Sequence, residues 1–127
     1  MKRENIILAY FQCWIDKDIT ILERTFSKDI VYTESHGPKY YGISQCLMWF
    51  SDWNQQGSVL KWDVKQFLHC GDTTVVEWYF ECDFDGVISG FDGVSIIDFN
   101  DEGKIYRLKE FQSKSQHHLP YGNPEIL

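Results

Sequence analysis

The sequence predicts an α+β domain in which N-terminal helices pack on an antiparallel sheet. In the first half of the chain, apolar residues recur every three or four positions, as they do in amphipathic helices. From residue 59 onward, apolar and polar residues alternate between short turns rich in Gly and Asp, a pattern typical of an antiparallel meander. Aromatic residues make up 17% of the 127 positions, which is enough large side chains to form one core. We therefore expect a single domain over residues 1–127.

Three helices are predicted in this first half. The first covers residues 3–16, the second is capped by Asp18 and runs through Phe26, and the third is capped by Ser44 and ends near Gly57. The apolar face of the first helix contains Ile6, Ile7, Tyr10, Cys13 and Trp14, and that of the third contains Cys46, Trp49, Phe50 and Trp53. The third helix therefore has an unusually aromatic face.

One strand is predicted before the third helix and four after it. The first runs from Asp29 to Glu34, because it is rich in β-branched residues and a Ser-His-Gly-Pro turn follows it. The other four lie near 59–69, 73–84, 91–99 and 104–113. Trp62, Val64 and Gln66 are expected on one face, and a turn over 70–72 would place Lys65 opposite Glu77 and Lys61 opposite Glu81. Residues 118–127 are expected to form a loosely held tail.

The charge and cysteine content exclude several classes of function. Nineteen acidic against twelve basic residues give a formal charge of -7, which disfavours binding to nucleic acid or to an anionic membrane. The apolar stretch after Lys2 and Arg3 is soon interrupted by polar residues, so neither a signal peptide nor a membrane span is expected, and we expect a cytoplasmic protein. The four cysteines form no CxxC pair and are expected to be reduced thiols. No metal-ligand spacing or phosphate-binding loop is present, so neither a metal nor another cofactor is predicted.

Several segments of the chain carry a family resemblance. These are FSKDIVY at 26–32, YGI at 41–43, FDGVSIIDF at 91–99 and GKI at 103–105. Together with the order of elements, they resemble the SnoaL-like branch of the nuclear-transport-factor-2-like superfamily over almost the whole chain. The resemblance implies a cone in which a strongly bent sheet wraps around the helices and leaves a deep cavity open at one end. It also implies a homodimer packed through the sheet.

The superfamily includes ketosteroid isomerase, in which a carboxylate moves a proton while a Tyr and a protonated Asp stabilise the enolate. Matched strand by strand, the resemblance places Glu34 at the position of the base and Tyr10 at that of the oxyanion tyrosine. Ser95 stands where that enzyme has its acid, so the full oxyanion hole is not reproduced. The resemblance therefore implies proton transfer, but not the steroid reaction.

The residues around Glu34 also point to an inward side chain. Alternation along the strand places Ile30, Tyr32 and Glu34 on one face. Burial there would raise the pKa of the carboxyl into the range useful for a general base. The alternative is a carboxylate at the rim of the fold, or one held by a structural hydrogen bond. His36 follows two residues later and is expected near the same side chain.

Glu110 is the second candidate acid, on a strand whose alternation shows no plainly apolar face. The resemblance implies that Leu108, Glu110 and Gln112 face inward. Two acids in one pocket would repel each other and raise one pKa, dividing them into an acid and a base. The alternative is a surface carboxylate paired with Lys109 or Arg107 of a neighbouring strand.

The remaining expectations concern the ligand. The cavity would bind a small, largely apolar organic molecule and perform cofactor-free isomerisation, aldol cyclisation or dehydration. A non-catalytic binding or sensor domain, and a dimeric interaction module using an outward sheet face with Tyr79 and Lys65, remain as alternatives. The residues expected to line the cavity are Trp14, Tyr32, His36, Phe50, Trp53, Trp78, Phe80, Ser95, Leu108 and Gln112.

Overall fold

The computed structural model describes residues 2–125, which form three helices and one six-stranded sheet. The strand order is β2-β1-β6-β5-β4-β3; β1 and β6 run parallel and the other neighbours run antiparallel. The predicted α+β fold with a bent sheet is confirmed. The elements are α1 Lys2–Asp16, α2 Thr20–Thr25, β1 Phe26–Thr33, β2 Lys39–Tyr41, α3 Gly42–Gln56, β3 Gly57–Cys70, β4 Thr73–Phe84, β5 Val87–Phe99 and β6 Ile105–Ser113.

The core lies between the helices and the inner face of the sheet. Helix α1 buries the face that the sequence predicted, and α3 buries Cys46 and Phe50. The sheet contributes Ile30, Ile97 and Leu108, none of which is exposed. Burial of these apolar side chains fixes which face of each element points inward.

The helix ends differ in detail from the prediction. Helix α2 ends at Thr25, because Phe26 already has an extended backbone and begins β1 without a connecting loop. Asp18 does bind the start of this helix, since its carboxylate accepts hydrogen bonds from the amide and hydroxyl of Thr20. The predicted cap of α3 is wrong: the helix begins at Gly42, so Ser44 lies within its first turn, and the amide of Tyr41 donates instead to the side chain of Gln45 at 2.7 Å.

Two strands also differ from the prediction. The short edge strand β2 was not predicted; three residues are too few for an alternation pattern to emerge. Strand β5 begins at Val87, four residues before the predicted start near residue 91. Both additions lie beside turns, where sequence patterns mark boundaries least reliably.

A bulge in β3 changes the predicted register. Lys61 lies opposite Glu81 as predicted, but Gln66, and not Lys65, lies opposite Glu77. The pairing shifts between Val64 and Gln66, which turns Gln66 to the outer face, where its amide donates to Glu77 at 2.8 Å. The prediction that Gln66 shares the face of Trp62 is therefore wrong.

The N-terminal turn of α1 is fastened to the β3–β4 hairpin by polar contacts. Arg3 donates to Asp72 at 3.1 Å, and Glu4 lies 2.6 Å from the ring of His69. The other ring nitrogen of His69 lies 2.9 Å from the Thr74 hydroxyl. These contacts hold α1 across the inner face of the sheet, which positions its aromatic side chains.

Beyond Ser113, the described residues through 125 contain no helix or strand. The predicted tail over 118–127 extends outside the described residues at its end. Within residues 2–125, no helix is both long and apolar enough to cross a membrane.

Candidate functional site

A cavity of about 550 Å³ lies between α1, α3 and the inner face of the sheet. All five tryptophans of the chain line it: Trp14, Trp49, Trp53, Trp62 and Trp78. Its other apolar walls come from Tyr32, Tyr40, Val59, Phe80, Phe84 and Phe91. A site of this size and composition suits a small organic molecule.

Glu34 lies just after β1 at one side of the cavity. Its side chain is 13% exposed, and one carboxylate oxygen accepts a hydrogen bond of 2.6 Å from the hydroxyl of Tyr40. Burial raises the pKa of Glu34, while the Tyr40 hydrogen bond and the nearby His36 act in the opposite direction. The ring of His36 is 4.0 Å from the same oxygen and is largely exposed at the rim.

Glu110 lies on β6 and faces the same cavity. Its Oε2 accepts a hydrogen bond of 2.5 Å from the hydroxyl of Tyr32. Burial raises the pKa of Glu110 to about 8; the Tyr32 hydrogen bond lowers the pKa and the nearby Glu34 carboxylate raises it. At neutral pH this carboxyl group is therefore mostly protonated.

A directed chain of hydrogen bonds leads to Glu110 from the core. The indole of Trp14 donates to the Tyr10 hydroxyl at 3.0 Å, and Tyr10 donates to Tyr32 at 2.8 Å. An indole nitrogen can only donate, so the tyrosine protons point towards Glu110. Oε2 of Glu110 therefore acts as an acceptor, which leaves Oε1 as the oxygen that can carry the carboxyl proton.

Trp49 connects the two acid sites. Its ring lies 4.6 Å from that of Tyr40 in a nearly parallel stack and 4.8 Å from that of Tyr32. These two tyrosines hold the two carboxyl groups. The acids therefore lie at the ends of a continuous group of aromatic rings.

The model of the SnoaL-like domain family matches residues 7–108. The chain belongs to this family. A search of curated proteins gives no match to this SnoaL-like domain.

Solved structures show the same fold in several proteins. A protein from Catenulispora acidiphila with a ketosteroid isomerase-like fold, in complex with trimethylamine, is 16% identical, with a TM-score of 0.76 and coverage of 85% of each chain. A candidate SnoaL-like polyketide cyclase from Shewanella denitrificans is 14% identical, with a TM-score of 0.75 and coverage of 87% and 90%. An LEH-like epoxide hydrolase from Mycobacterium tuberculosis is 11% identical, with a TM-score of 0.77 and coverage of 86% and 80%. The SnoaL-like domain thus has the fold that its sequence segments indicated.

Most of the predicted site residues come together in this cavity. Glu34 and Glu110 both line it, although they are far apart in sequence, because β1 and β6 are neighbours in the sheet. The predicted residues that line the cavity are Glu34, Glu110, Trp14, Tyr32, His36, Trp53, Trp78, Phe80 and Gln112.

Four predicted residues do not line the cavity. Tyr10 is fully buried behind Tyr32, and Phe50 is buried against Trp14. Ser95 is fully buried because the Trp78 indole covers it and donates to its hydroxyl at 2.9 Å. Leu108 is also fully buried, in the sheet beside Tyr32. These four side chains therefore do not form part of the cavity surface.

Three residues that were not predicted also line the cavity: Tyr40, Trp49 and Trp62. Tyr40 belongs to the unpredicted strand β2, so no pattern assigned it a direction. Trp49 and Trp62 were placed on the correct apolar faces, but periodicity does not separate a core residue from a residue that lines a cavity within the core. A pair of adjacent tyrosines before Gly42 was the one available signal for Tyr40.

The other reactive groups of the described residues offer little further chemistry. All four cysteines are free, as predicted, and burial raises the pKa of the Cys13 and Cys46 thiols to about 12. Cys82 lines the cavity, and burial raises its thiol pKa as well, so it is a poor nucleophile. Residues 2–125 contain no cluster of three or more His, Cys, Asp or Glu side chains that could hold a metal ion.

Proposed function

We propose that this SnoaL-like domain binds a small, largely apolar carbonyl compound and moves a proton at the carbon beside the carbonyl group, without a cofactor. The observation that carries the proposal is the presence of two carboxyl groups with different surroundings in one aromatic cavity. Pairs of titratable groups that differ in this way serve as acid and base in proton-transfer enzymes. Membership of the SnoaL-like family supports a small-molecule pocket.

Glu34 is the proposed base. Its carboxylate accepts the proton from the carbon, and the electron pair of the broken C–H bond moves into the carbonyl group to give an enolate. Tyr40 holds one carboxylate oxygen and leaves the other to face the substrate. In a ketone with a double bond next to that carbon the enolate is conjugated, and return of the proton to its far carbon gives isomerisation. Attack of the enolate carbon on a second carbonyl group, followed by transfer of the proton from Glu34 to the new alkoxide, gives an aldol product.

Glu110 is the proposed oxyanion partner. Its protonated Oε1 donates a hydrogen bond to the carbonyl oxygen as negative charge develops there, and Tyr32 stabilises Oε2. The raised pKa keeps the donor protonated at neutral pH. Tyr10, expected from the resemblance to act directly, becomes a positioning residue that acts through Tyr32.

Exchange of deuterium into a simple ketone tests this proposal. Acetophenone or 4-phenyl-2-butanone is incubated with the protein in D₂O, and loss of the proton signals beside the carbonyl is followed by NMR. We expect catalysed exchange in the wild type and a loss of at least about 100-fold in Glu34→Gln, the typical contribution of a general base. Glu110→Gln should slow exchange less, because an amide still donates a hydrogen bond.

The matched control is Glu102→Gln, an exposed acid in the β5–β6 turn outside the cavity. It should exchange at the wild-type rate. If Glu34→Gln binds the ketone and exchanges it as fast as this control does, Glu34 is not the base. Binding without any catalysed exchange in the wild type would favour the non-catalytic sensor or binding domain.

A further inference from the structure

The ionisable side chains that line the cavity are mostly acidic. Its lining contains the carboxyl groups of Glu34, Asp52 and Glu110 and the imidazole of His36. Within residues 2–125, which include all twelve Lys and Arg of the chain, none of these cationic side chains lines it. The overall charge of -7 has the same sign. An anionic ligand would therefore be repelled, and no Lys or Arg of the described chain is available in the lining to pair with it.

Aromatic faces form most of the remaining wall. The Trp49 ring contacts those of Tyr32 and Tyr40, whose hydroxyls hold the two buried acids. The other four tryptophans also line the cavity. The face of an aromatic ring attracts a cation through its quadrupole, most strongly for Trp and more strongly where water is excluded. The aromatic rings and the carboxylates therefore both favour a cationic ligand in this part of the cavity.

The hydrogen bonds of the two acids indicate which type of cationic group fits. One oxygen of each buried acid already accepts from a tyrosine, so between these two acids only the second oxygen of each remains, fewer than the three acceptors that a primary ammonium needs. An ammonium group covered by methyl groups donates no hydrogen bond and presents an apolar surface to the rings. It also keeps its charge at every pH.

We propose that the ligand of this cavity carries a methylated ammonium group, bound beside Trp49 between Glu34 and Glu110. This inference rests on the proposed function in taking the cavity as the ligand site, and it specifies the substrate class as carbonyl compounds with an alkylated cationic nitrogen. For such a substrate the cationic group itself would stabilise the enolate, in place of the hydrogen bond that protonated Glu110 donates to a neutral ketone, because opposite charges attract strongly in a site of low dielectric constant.

The proposal implies a dependence of affinity on pH. The groups that face Glu110 are Tyr32 from β1, Tyr40 from β2, Glu34 after β1 and Tyr10 from α1 behind Tyr32. The cationic ligand prefers ionised Glu110, whose pKa in the empty cavity is about 8. Affinity should therefore increase as the pH rises from 6 to 9, about tenfold for each unit by which the bound cation lowers that pKa.

The proposed cation site is tested by comparing the binding of choline with that of 3,3-dimethyl-1-butanol. The two molecules have the same shape and differ in one positive charge, and all five tryptophans report on the cavity through their fluorescence. We expect choline to bind more tightly than the alcohol at pH 9 and to lose affinity at pH 6, while the alcohol shows no such loss. Equal affinity for the two molecules, or no choline binding at pH 9, would overturn the proposal.

Two variants separate the charge from the rings. Glu110→Gln should remove most of the pH dependence for choline, and Trp49→Leu should weaken choline binding while leaving the alcohol nearly unaffected. Circular dichroism checks that both variants fold, and Glu102→Gln serves as the control at an exposed acid. If choline binding by folded Glu110→Gln and Trp49→Leu matches that of this control, the proposed position of the cation is wrong.

The outcomes distinguish this inference from the proposed function. Catalysed exchange of acetophenone without choline binding would overturn the cation proposal alone. Choline binding with the expected pH dependence, but no exchange of any ketone, would overturn proton transfer and leave the cation site in place.

Discussion

Glu34 and Glu110 are held in the same manner but differ in their surroundings. Each accepts a hydrogen bond from a tyrosine whose ring packs on Trp49. Glu34 also has His36 nearby, whereas Glu110 has the carboxylate of Glu34 as its charged neighbour. Burial raises the pKa of both carboxyl groups; His36 opposes this increase at Glu34, whereas the carboxylate of Glu34 adds to it at Glu110.

Glu110 should make the fold less stable as the pH rises. Its pKa is about 8 in the folded protein against an ordinary value of 4.5, so between these values the folded state binds more protons than the unfolded state. The free energy of unfolding therefore falls across this window, by at most about 1.4 kcal/mol per pH unit from this group. Urea unfolding at pH 5 and pH 8 measures the fall.

In Glu110→Gln the side chain cannot ionise, so the stability of this variant relative to wild type should increase between pH 5 and pH 8. Glu102→Gln should show no such relative gain. A wild type and a Glu110→Gln variant with the same pH dependence would mean that Glu110 titrates normally.

At the level of elements, the pairing of β1 with β6 creates the site. The two strands are distant in sequence and run parallel, with Tyr32 beside Leu108. This register brings Glu110, two residues further along β6, to the Tyr32 hydroxyl, and it brings Glu34 to the same end of the sheet. Without the pairing of β1 with β6, which joins the two ends of the chain, the two acids would not line the same cavity.

Strand β5 contains a glycine that the cavity wall requires. Gly93 lies opposite Trp78, and a Cβ at this position would overlap the Trp78 ring and approach the Phe111 carbonyl oxygen to 2.6 Å. Gly93→Ala should therefore destabilise the fold by about 1–3 kcal/mol, the usual cost of overpacking. It should also displace Trp78, which chemical denaturation and tryptophan fluorescence can detect separately.

Gly71→Ala tests the other role of glycine, since its backbone has φ +58° and a Cβ added there would meet no other atom within 4 Å. This variant should lose stability through turn strain, but its fluorescence should stay that of the wild type. If Gly93→Ala has unchanged stability and unchanged fluorescence, the close approach of Trp78 does not constrain β5.

At the level of the whole molecule, the outer face of the sheet is the expected dimer surface. Phe111 is 55% exposed there, because it alternates along β6 with the inward Glu110. Exposed aromatic area on a sheet favours association. We expect a homodimer that light scattering after gel filtration detects, and Phe111→Asp should convert it to a monomer because a buried, unpaired charge is unfavourable.

Leu119→Asp is the control for this experiment. It makes the same kind of change at an exposed apolar residue outside the sheet and should leave the dimer intact. A wild-type protein that is monomeric at all concentrations would rule out the homodimer expected from the family resemblance.

The sequence by itself determined the order of the elements other than β2, the inward faces of α1 and α3 and the alternation of β4. These depend on interactions between residues close in sequence, and periodicity records such interactions directly. It also selected Glu34 and Glu110 as candidates, the second through the family resemblance. Alternation assigned the direction of Glu34 but could not assign that of Glu110, since the predicted β6 pattern had no apolar face.

Only the tertiary structure decided which side chains surround the cavity. The bulge after Val64, the parallel pairing of β1 with β6 and the edge strand β2 arise from contacts between distant segments. These contacts also decide which tyrosines reach the cavity. Packing buries Tyr10 behind Tyr32, and it places the hydroxyl of Tyr40, which was not predicted to contribute, against Glu34. Burial and the charge of a neighbour set a pKa, and both depend on distances in space that a linear pattern does not contain.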